Sequence, residues 1–437
     1  MAQEPERLAT WGEIAKFLNC NVRTAQRHAI DRGLPVRRLP GGRKGSVFAY
    51  RHELQNWIDS RHAAVAETPA SSRSGISRRT LLPVSAAAAL LAGAGFWSLR
   101  RQPEGVVRAA IVGNTLCAWD DMGRFLWKYP FPEALDTDPH PHQFTNPILA
   151  DVLSDGSRQV LFTARFARPP AAEPCHELFC FSGDGKVLWR YKPKLSLTFG
   201  NQSFHGPWSI HDVLFHARDK SRRVWVALSH WVWRPGAVVS IDPRGQDAVH
   251  FVQGGNIYSL SSSPSATDFH LLAGGINNEY AAASVAVLRA DAPPSRSPQT
   301  NGTRFECVNG PAGSPEKYFL LPPTEVNAAT GRPYNIVSSI FGGERGFQVR
   351  TEEGSGDSSA QAFYGLSESL EVTDVSFDDN FAVRHQLLEK AGRIHHNLSS
   401  CPLLNGPKPI RRWNEASGWT DVSVPLKAGV WPDGRAV

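Results

Sequence analysis

Nineteen consecutive residues without a charge, Leu81 to Leu99, divide this chain into two unlike parts. The run reads LLPVSAAAALLAGAGFWSL. A helix of that length measures roughly 28 Å, close to the roughly 30 Å hydrocarbon core of a bilayer. Arg78 and Arg79 precede the run, Arg100 and Arg101 follow it, and Trp97 stands near one end, where an indole suits the membrane interface. Residues 81–99 are therefore expected to form one transmembrane helix, with the membrane lipid bilayer as a partner. The nearby charges do not orient it, since Arg61, Arg73, Arg78 and Arg79 on one side nearly balance Arg100, Arg101 and Arg108 on the other.

The formal charge of +6 is unevenly placed along the 437 residues, a length that holds two or three domains. Residues 1–79 carry 14 Lys/Arg against 7 Asp/Glu, a net +7, whereas residues 102–437 carry 31 against 34, a net −3. A basic end attracts nucleic acid or an anionic membrane face. The larger, mildly acidic part has no electrostatic reason to bind DNA. Six cysteines are too few for a disulfide scaffold. Cys175 and Cys180, separated by four residues, could bridge in an oxidising compartment or remain buried thiols.

The first sixty residues carry local signals for several elements. Thr10-Trp11-Gly12-Glu13 is a capping box, followed by Ile14, Ala15 and Leu18 at helical spacing, so a short helix is expected over about 11–18. A second helix is expected from Val22 to Arg32, closed by Gly33. Two β-capable runs, 34–39 and 46–50, flank the basic turn Pro40-Gly41-Gly42-Arg43-Lys44-Gly45 and predict a hairpin. A last helix is expected over 51–60, with Leu54, Trp57 and Ile58 facing inward. This succession resembles the winged helix-turn-helix of the MerR/excisionase-like family, carried by residues 11–15, 23–27, 33–36 and the wing 40–50. The resemblance implies a DNA-binding domain over 1–62. Arg and Gln read guanine and adenine edges, and a Gly-rich basic loop lies easily against phosphates. The candidate DNA-binding residues are Arg23, Thr24, Gln26 and Arg27 for the groove, with Arg43 and Lys44 for the backbone. Arg37 and Arg38 alternate across a strand, so at most one of them would face DNA.

Residues 63–80, rich in Ala, Ser, Thr, Pro and Gly, read as a flexible linker. Ser77-Arg78-Arg79-Thr80-Leu81-Leu82 resembles a twin-arginine export signal, which leaves open whether the apolar run is an anchor or a cleaved signal.

After residue 105 no long amphipathic helix is evident. Short β-branched and aromatic runs alternate with turn residues, so residues 102–427 are expected to be all-β, with a loosely ordered tail over 428–437. Leu116–Tyr129 aligns with Leu178–Tyr191 as strand, Asp/Gly turn and strand with a Trp, and Val238–Gly245 echoes the unit. The repeat resembles the blade hairpin of quinoprotein-type β-propellers, while Asn146–Gly156 resembles an FG-GAP segment. That family places calcium on residues such as Asp151 and Asp155, but this loop is poor in acidic ligands and a plain turn is favoured. The stretch 102–437 has room for about seven propeller blades of about 40–50 residues, of which two or three are visible in the sequence. Gly274–Tyr280 reads as a turn with unusual polar density.

No P-loop, His-Glu-x-x-His, Gly-x-Ser-x-Gly or kinase pattern is present, and His140, His142, His205, His211, His395 and His396 read as scattered. The expectation is a non-enzyme with no cofactor and no metal site beyond the unfavoured Asp151 and Asp155. The fold class expected is multidomain: a small α+β winged helix-turn-helix, one transmembrane helix and a large all-β, β-propeller-like domain. The function expected is a membrane-anchored transcriptional regulator in the cell inner membrane. Its N-terminus would be cytoplasmic on DNA and its C-terminal domain periplasmic on an unknown ligand or protein, with a second copy as dimer partner. The alternative is an exported or tethered β-propeller binding protein, or less favoured a quinoprotein-like enzyme, whose N-terminal module is vestigial or binds protein.

Overall fold

The computed structural model describes residues 7–8, 10–17, 35–38, 47–51, 53–54, 105–136, 146–168, 175–216, 222–231, 235–263, 269–343, 346–354 and 360–427. The chain divides into two compact units, Met1–Gly95 and Phe96–Val437.

In the first unit the Thr10 hydroxyl accepts the Glu13 amide at 3.2 Å and so caps helix α1, Trp11–Phe17. The expected hairpin is present, with Arg37–Arg38 pairing with Val47–Tyr50, and Arg7–Leu8 adds an unexpected third strand. Ile14, Ala49 and Leu54 are fully buried among Leu8, Trp11, Phe17 and Val36. The expected helix over 22–32, the hairpin turn, the linker 63–80, the apolar run 81–99 and the tail 428–437 lie outside the described residues. Among the described residues no helix is long and apolar enough to cross a membrane.

The second unit is predominantly β. Among the described residues it holds six sheets: five larger ones, antiparallel but for one short added strand, follow one another along the chain, and a two-stranded sheet pairs Leu197–Phe199 with Gln202–Phe204. Sheet 1 comprises Arg108–Val112, Thr115–Trp119 and Phe125–Pro130. Sheet 2 runs Ile148–Ala150, Gln159–Phe166, Cys175–Phe181 and Val187–Tyr191. Sheet 3 runs Trp208–Phe215, Val224–His230, Gly236–Ile241 and Asp247–Gln253, with Ser295–Arg296 added parallel to the last. Sheet 4 runs Ile257–Ser262, His270–Asn277, Ala282–Arg289 and Lys317–Leu321, and is completed by Lys408–Asn414 and Gly418–Val424 from the far end of the chain. Sheet 5 runs Ile336–Gly343, Gly346–Glu353, Ala360–Leu366 and Val372–Phe377.

Each inner sheet buries both faces, which explains its near-continuous apolar runs. Val160, Phe162 and Ala164 face sheet 1, while Leu161 on the opposite face of the strand packs toward sheet 3. Val224, Val226 and Leu228 pack on sheet 2, and Trp225 and Ala227 pack on sheet 4. Leu272, Val285 and Val287 meet Val337, Val349 and Tyr364 of sheet 5. No buried cluster among the described residues unites sheet 5 with sheet 1.

Two repeats give these sheets their register. The first is a five-residue turn in which residue i accepts the amide of residue i+4 through its side chain: Asp120 from Arg124, Ser182 from Lys186, Asp242 from Gln246 and Ser367 from Glu371. Residue i+3 is left-handed each time, as Gly123, Gly185, Gly245 and Leu370. Three of these turns are the sequence repeat; the fourth has Leu370 in place of the glycine and so lies outside the sequence pattern. Trp127 of sheet 1 docks on the sheet 2 turn, where its indole donates to the Gly183 carbonyl at 3.0 Å and a Cβ on Gly185 would lie 2.7 Å from the ring. Trp189 of sheet 2 packs in the same way on Gly245, where a Cβ would lie 2.8 Å away, but its indole nitrogen has no hydrogen-bond partner among the described residues.

The second repeat is a bulge in the first strand of sheets 3, 4 and 5, just before Asp212, Ser259 and Ser339. Asp212 Oδ2 accepts the Leu260 amide of sheet 4 at 2.7 Å, and Ser259 Oγ accepts the Ile340 amide of sheet 5 at 3.0 Å. The Ser339 hydroxyl, at the end of the series, is buried without a hydrogen-bond partner among the described residues.

Two expectations need correction, and the open alternative at Cys175 and Cys180 is resolved in favour of free thiols. The unit is not all-β, because helices α2 (Glu325–Thr330), α3 (Asp379–Lys390) and α4 (Pro402–Asn405) form a cap on sheet 5. Val326, Phe381, Leu388, Ile394 and Leu404 pack there with Ala360. Of the expected turn Gly274–Tyr280, residues 278–280 do form the turn between two strands, whereas Gly274–Asn277 is the end of a buried strand. Its glycines serve close backbone approach, since a Cβ on Gly275 would lie 1.9 Å from the Asn256 carbonyl oxygen. Cys175 and Cys180 are free. They sit on one extended strand about 16 Å apart and on opposite faces, far beyond disulfide reach.

Candidate metal centre and ligand pocket

The candidate DNA-binding residues Arg23, Thr24, Gln26, Arg27, Arg43 and Lys44 lie outside the described residues. Arg37, in the hairpin, is already engaged: it donates two 2.7 Å bonds to the Glu53 carboxylate and stacks its guanidinium over Tyr50.

Asp151 and Asp155 serve a turn. Asp155 Oδ1 accepts the Ser157 amide at 2.8 Å and its hydroxyl at 2.6 Å, and these bonds hold its carboxyl below the usual range. Asp151 Oδ1 accepts the Asp155 amide at 3.2 Å, while Arg222 lies 3.0 Å from Asp151 Oδ2. A guanidinium thus already balances the Asp151 charge.

A cavity of about 250 Å³ opens between sheets 2 and 3, lined by Asn146, Pro147, Ile148, Leu161, Thr163, Leu178, Asp212 and Val213. Burial pushes the Asp212 carboxyl up to about 7, against the opposing bonds from the Leu260 and Val213 amides. A carboxyl poised near neutrality in a cleft is suited to bind a hydrogen-bond donor or a cation. No local sequence signal around Asp212 marks this environment.

The helical cap gathers a second set of groups that sequence reasoning missed. Glu325 is the first residue of α2, His385 lies in the middle of α3, His396 follows in a loop and Cys401 precedes α4. One possible ligand atom from each lies within 4.8 Å of the others. The two imidazole Nε2 atoms are 3.2 Å apart. Glu325 Oε1 stands 3.4 Å from His385 Nε2 and 3.3 Å from His396 Nε2, and accepts the Cys401 thiol at 3.0 Å. His385 and Cys401 are fully buried, whereas the side chains of Glu325 and His396 keep 27% and 29% of their surface. The site therefore has a closed floor and an open mouth. Burial is the main cause that lowers the His385 pKa, and burial followed by Glu325 pushes the Cys401 thiol up to about 12.

Backbone chemistry holds the set in place. Asp378 caps α3 by accepting the Phe381 amide at 3.0 Å, and Phe381, His385 and Leu388 form its buried stripe. Thr324, at the N-cap position of α2 but without a side-chain cap bond, donates its amide at 2.9 Å and hydroxyl at 2.8 Å to Glu353. Glu353 is fully buried in sheet 5 and also accepts from Asn335 and Thr351. Sheet 5 thus fixes the start of α2, and with it Glu325.

No family model and no curated protein matches the chain. Among solved structures it is similar to one described as the crystal structure of BBS1N in complex with ARL6DN, soaked with lead. Identity is 9% over 68% of this chain and 98% of that one, with a TM-score of 0.21. A likeness at that score supports no argument, and the description of the fold rests on the sheets themselves.

Proposed function

We propose that the chain is a single-pass regulator of the inner membrane that binds DNA through residues 1–62 and a ligand or protein through its β-domain. The observation that carries this reading is the first unit, where a Thr10-capped helix shares a small core with a hairpin. The sequence that links its two strands, residues 39–46, contains Arg43 and Lys44. A net +7 before residue 80, against −3 after residue 101, supports nucleic acid as the partner of this end alone. In this reading residues 81–99 span the bilayer and a second copy completes a DNA-binding dimer. The consecutive sheets act as propeller-like blades outside the membrane, by binding rather than by catalysis, with the Asp212 pocket as the seat for a small ligand.

DNA titration tests the reading. Residues 1–62 should bind duplex DNA of mixed sequence at low salt, with an affinity that falls steeply as salt rises. Replacing both Arg43 and Lys44 by Ala should lower the salt slope by about 2. Absence of any binding at low salt would remove the basis for a DNA reader.

A further inference from the structure

We propose that Glu325, His385, His396 and Cys401 form a four-ligand site for a zinc ion that pins the helical cap to sheet 5. The proposal is independent of the DNA-binding reading. The ligand separations carry it. At zinc–nitrogen and zinc–oxygen bonds of about 2.0–2.1 Å, two corners of a tetrahedron lie about 3.3 Å apart. The three separations among the His385, His396 and Glu325 atoms are 3.2, 3.3 and 3.4 Å.

The pairing of the histidines points the same way. Two imidazole nitrogens 3.2 Å apart can share only one proton. A cation between them satisfies both lone pairs at once. Glu325 as carboxylate and Cys401 as thiolate supply two negative charges, which balance a divalent ion. The Cys401 proton, now donated to Glu325, passes to solvent as the metal–sulfur bond forms. Thiolate and imidazole donors exclude calcium and magnesium and suit zinc in tetrahedral geometry. Four protein ligands close the coordination shell, which is the mark of a structural rather than a hydrolytic zinc. The ligands come from α2, α3, the loop after it and the start of α4, so one ion ties together every helix of the cap.

The test uses full-length protein stripped with a chelator. Zinc titrated against a chromophoric competitor should bind once per chain and raise the melting temperature. Cobalt(II) should give the visible bands of a tetrahedral site together with a thiolate-to-cobalt charge-transfer band. Cys401→Ser should abolish the charge-transfer band, and Cys401→Ser and His396→Ala should each weaken zinc by at least about tenfold. Should Cys401→Ser fail to fold, His396→Ala and Glu325→Gln decide, because both side chains reach the surface. Stripped protein that takes up no zinc at micromolar free metal overturns the proposal. So does wild-type affinity in the folded variants.

Discussion

Gly185→Ala is expected to destabilise the β-domain far more than the same change at Gly123, although both glycines occupy the same position of the same turn. Both backbones are left-handed, with φ of 85° and 75°, so each alanine costs about 1–2 kcal/mol of conformational strain. A Cβ on Gly123 meets nothing within 4 Å. A Cβ on Gly185 meets two ring carbons of Trp127 at 2.7 Å. That ring is held by the 3.0 Å bond to the Gly183 carbonyl and packs against Phe181, with centroids 5.6 Å apart. It cannot retreat without opening the contact between sheets 1 and 2, an overpacking cost of about 1–3 kcal/mol. The totals are roughly 2–5 kcal/mol for Gly185→Ala and about 1–2 kcal/mol for Gly123→Ala. Urea unfolding followed by tryptophan fluorescence measures both. Equal losses at the two positions would refute the claim that Trp127 docks one sheet on the turn of the next.

The side-chain bonds between sheets make two further predictions. Ser259→Ala should cost about 1–3 kcal/mol by leaving the buried Ile340 amide unpaired, whereas Ser339→Ala should be neutral or mildly stabilising; equal losses in denaturant unfolding would contradict this. Asp212 should make stability fall as pH rises: its folded carboxyl titrates near 7 and its unfolded one near 4, so in between only the folded chain holds the proton. Its contribution is fully present below pH 4 and lost through pH 7, roughly 4 kcal/mol in all. The stability difference between wild type and Asp212→Asn should track that fall, and a difference independent of pH would show that Asp212 titrates normally.

The sequence signals that proved legible were those carried by one or two neighbouring residues. The capping box at Thr10 and the glycine turns at 123, 185 and 245 each act through a local backbone demand. The fourth turn was hidden because Leu370 accepts the left-handed conformation that glycine marks elsewhere. Helix α3 was hidden because its buried stripe has His385 at the centre and leaves Val383 and Leu387 exposed, which blurs the apolar period. The metal candidates are beyond local reading: Glu325 and Cys401 lie 76 positions apart, and only the packing of the cap on sheet 5 brings them together. Gly274-Gly275 misled for the opposite reason, since glycine permits close backbone packing as readily as a turn.

The proposed function requires a chain with a DNA reader on one side of a membrane and a β-domain on the other. Paired reporters measure this directly, one fused before Arg78 and one after Arg101, each active on only one side of the inner membrane. The expected result is a cytoplasmic signal from the first and a periplasmic signal from the second, with an intact full-length chain in the membrane fraction. Both reporters on the same side, or release of a soluble C-terminal fragment cut within 81–99, would contradict it.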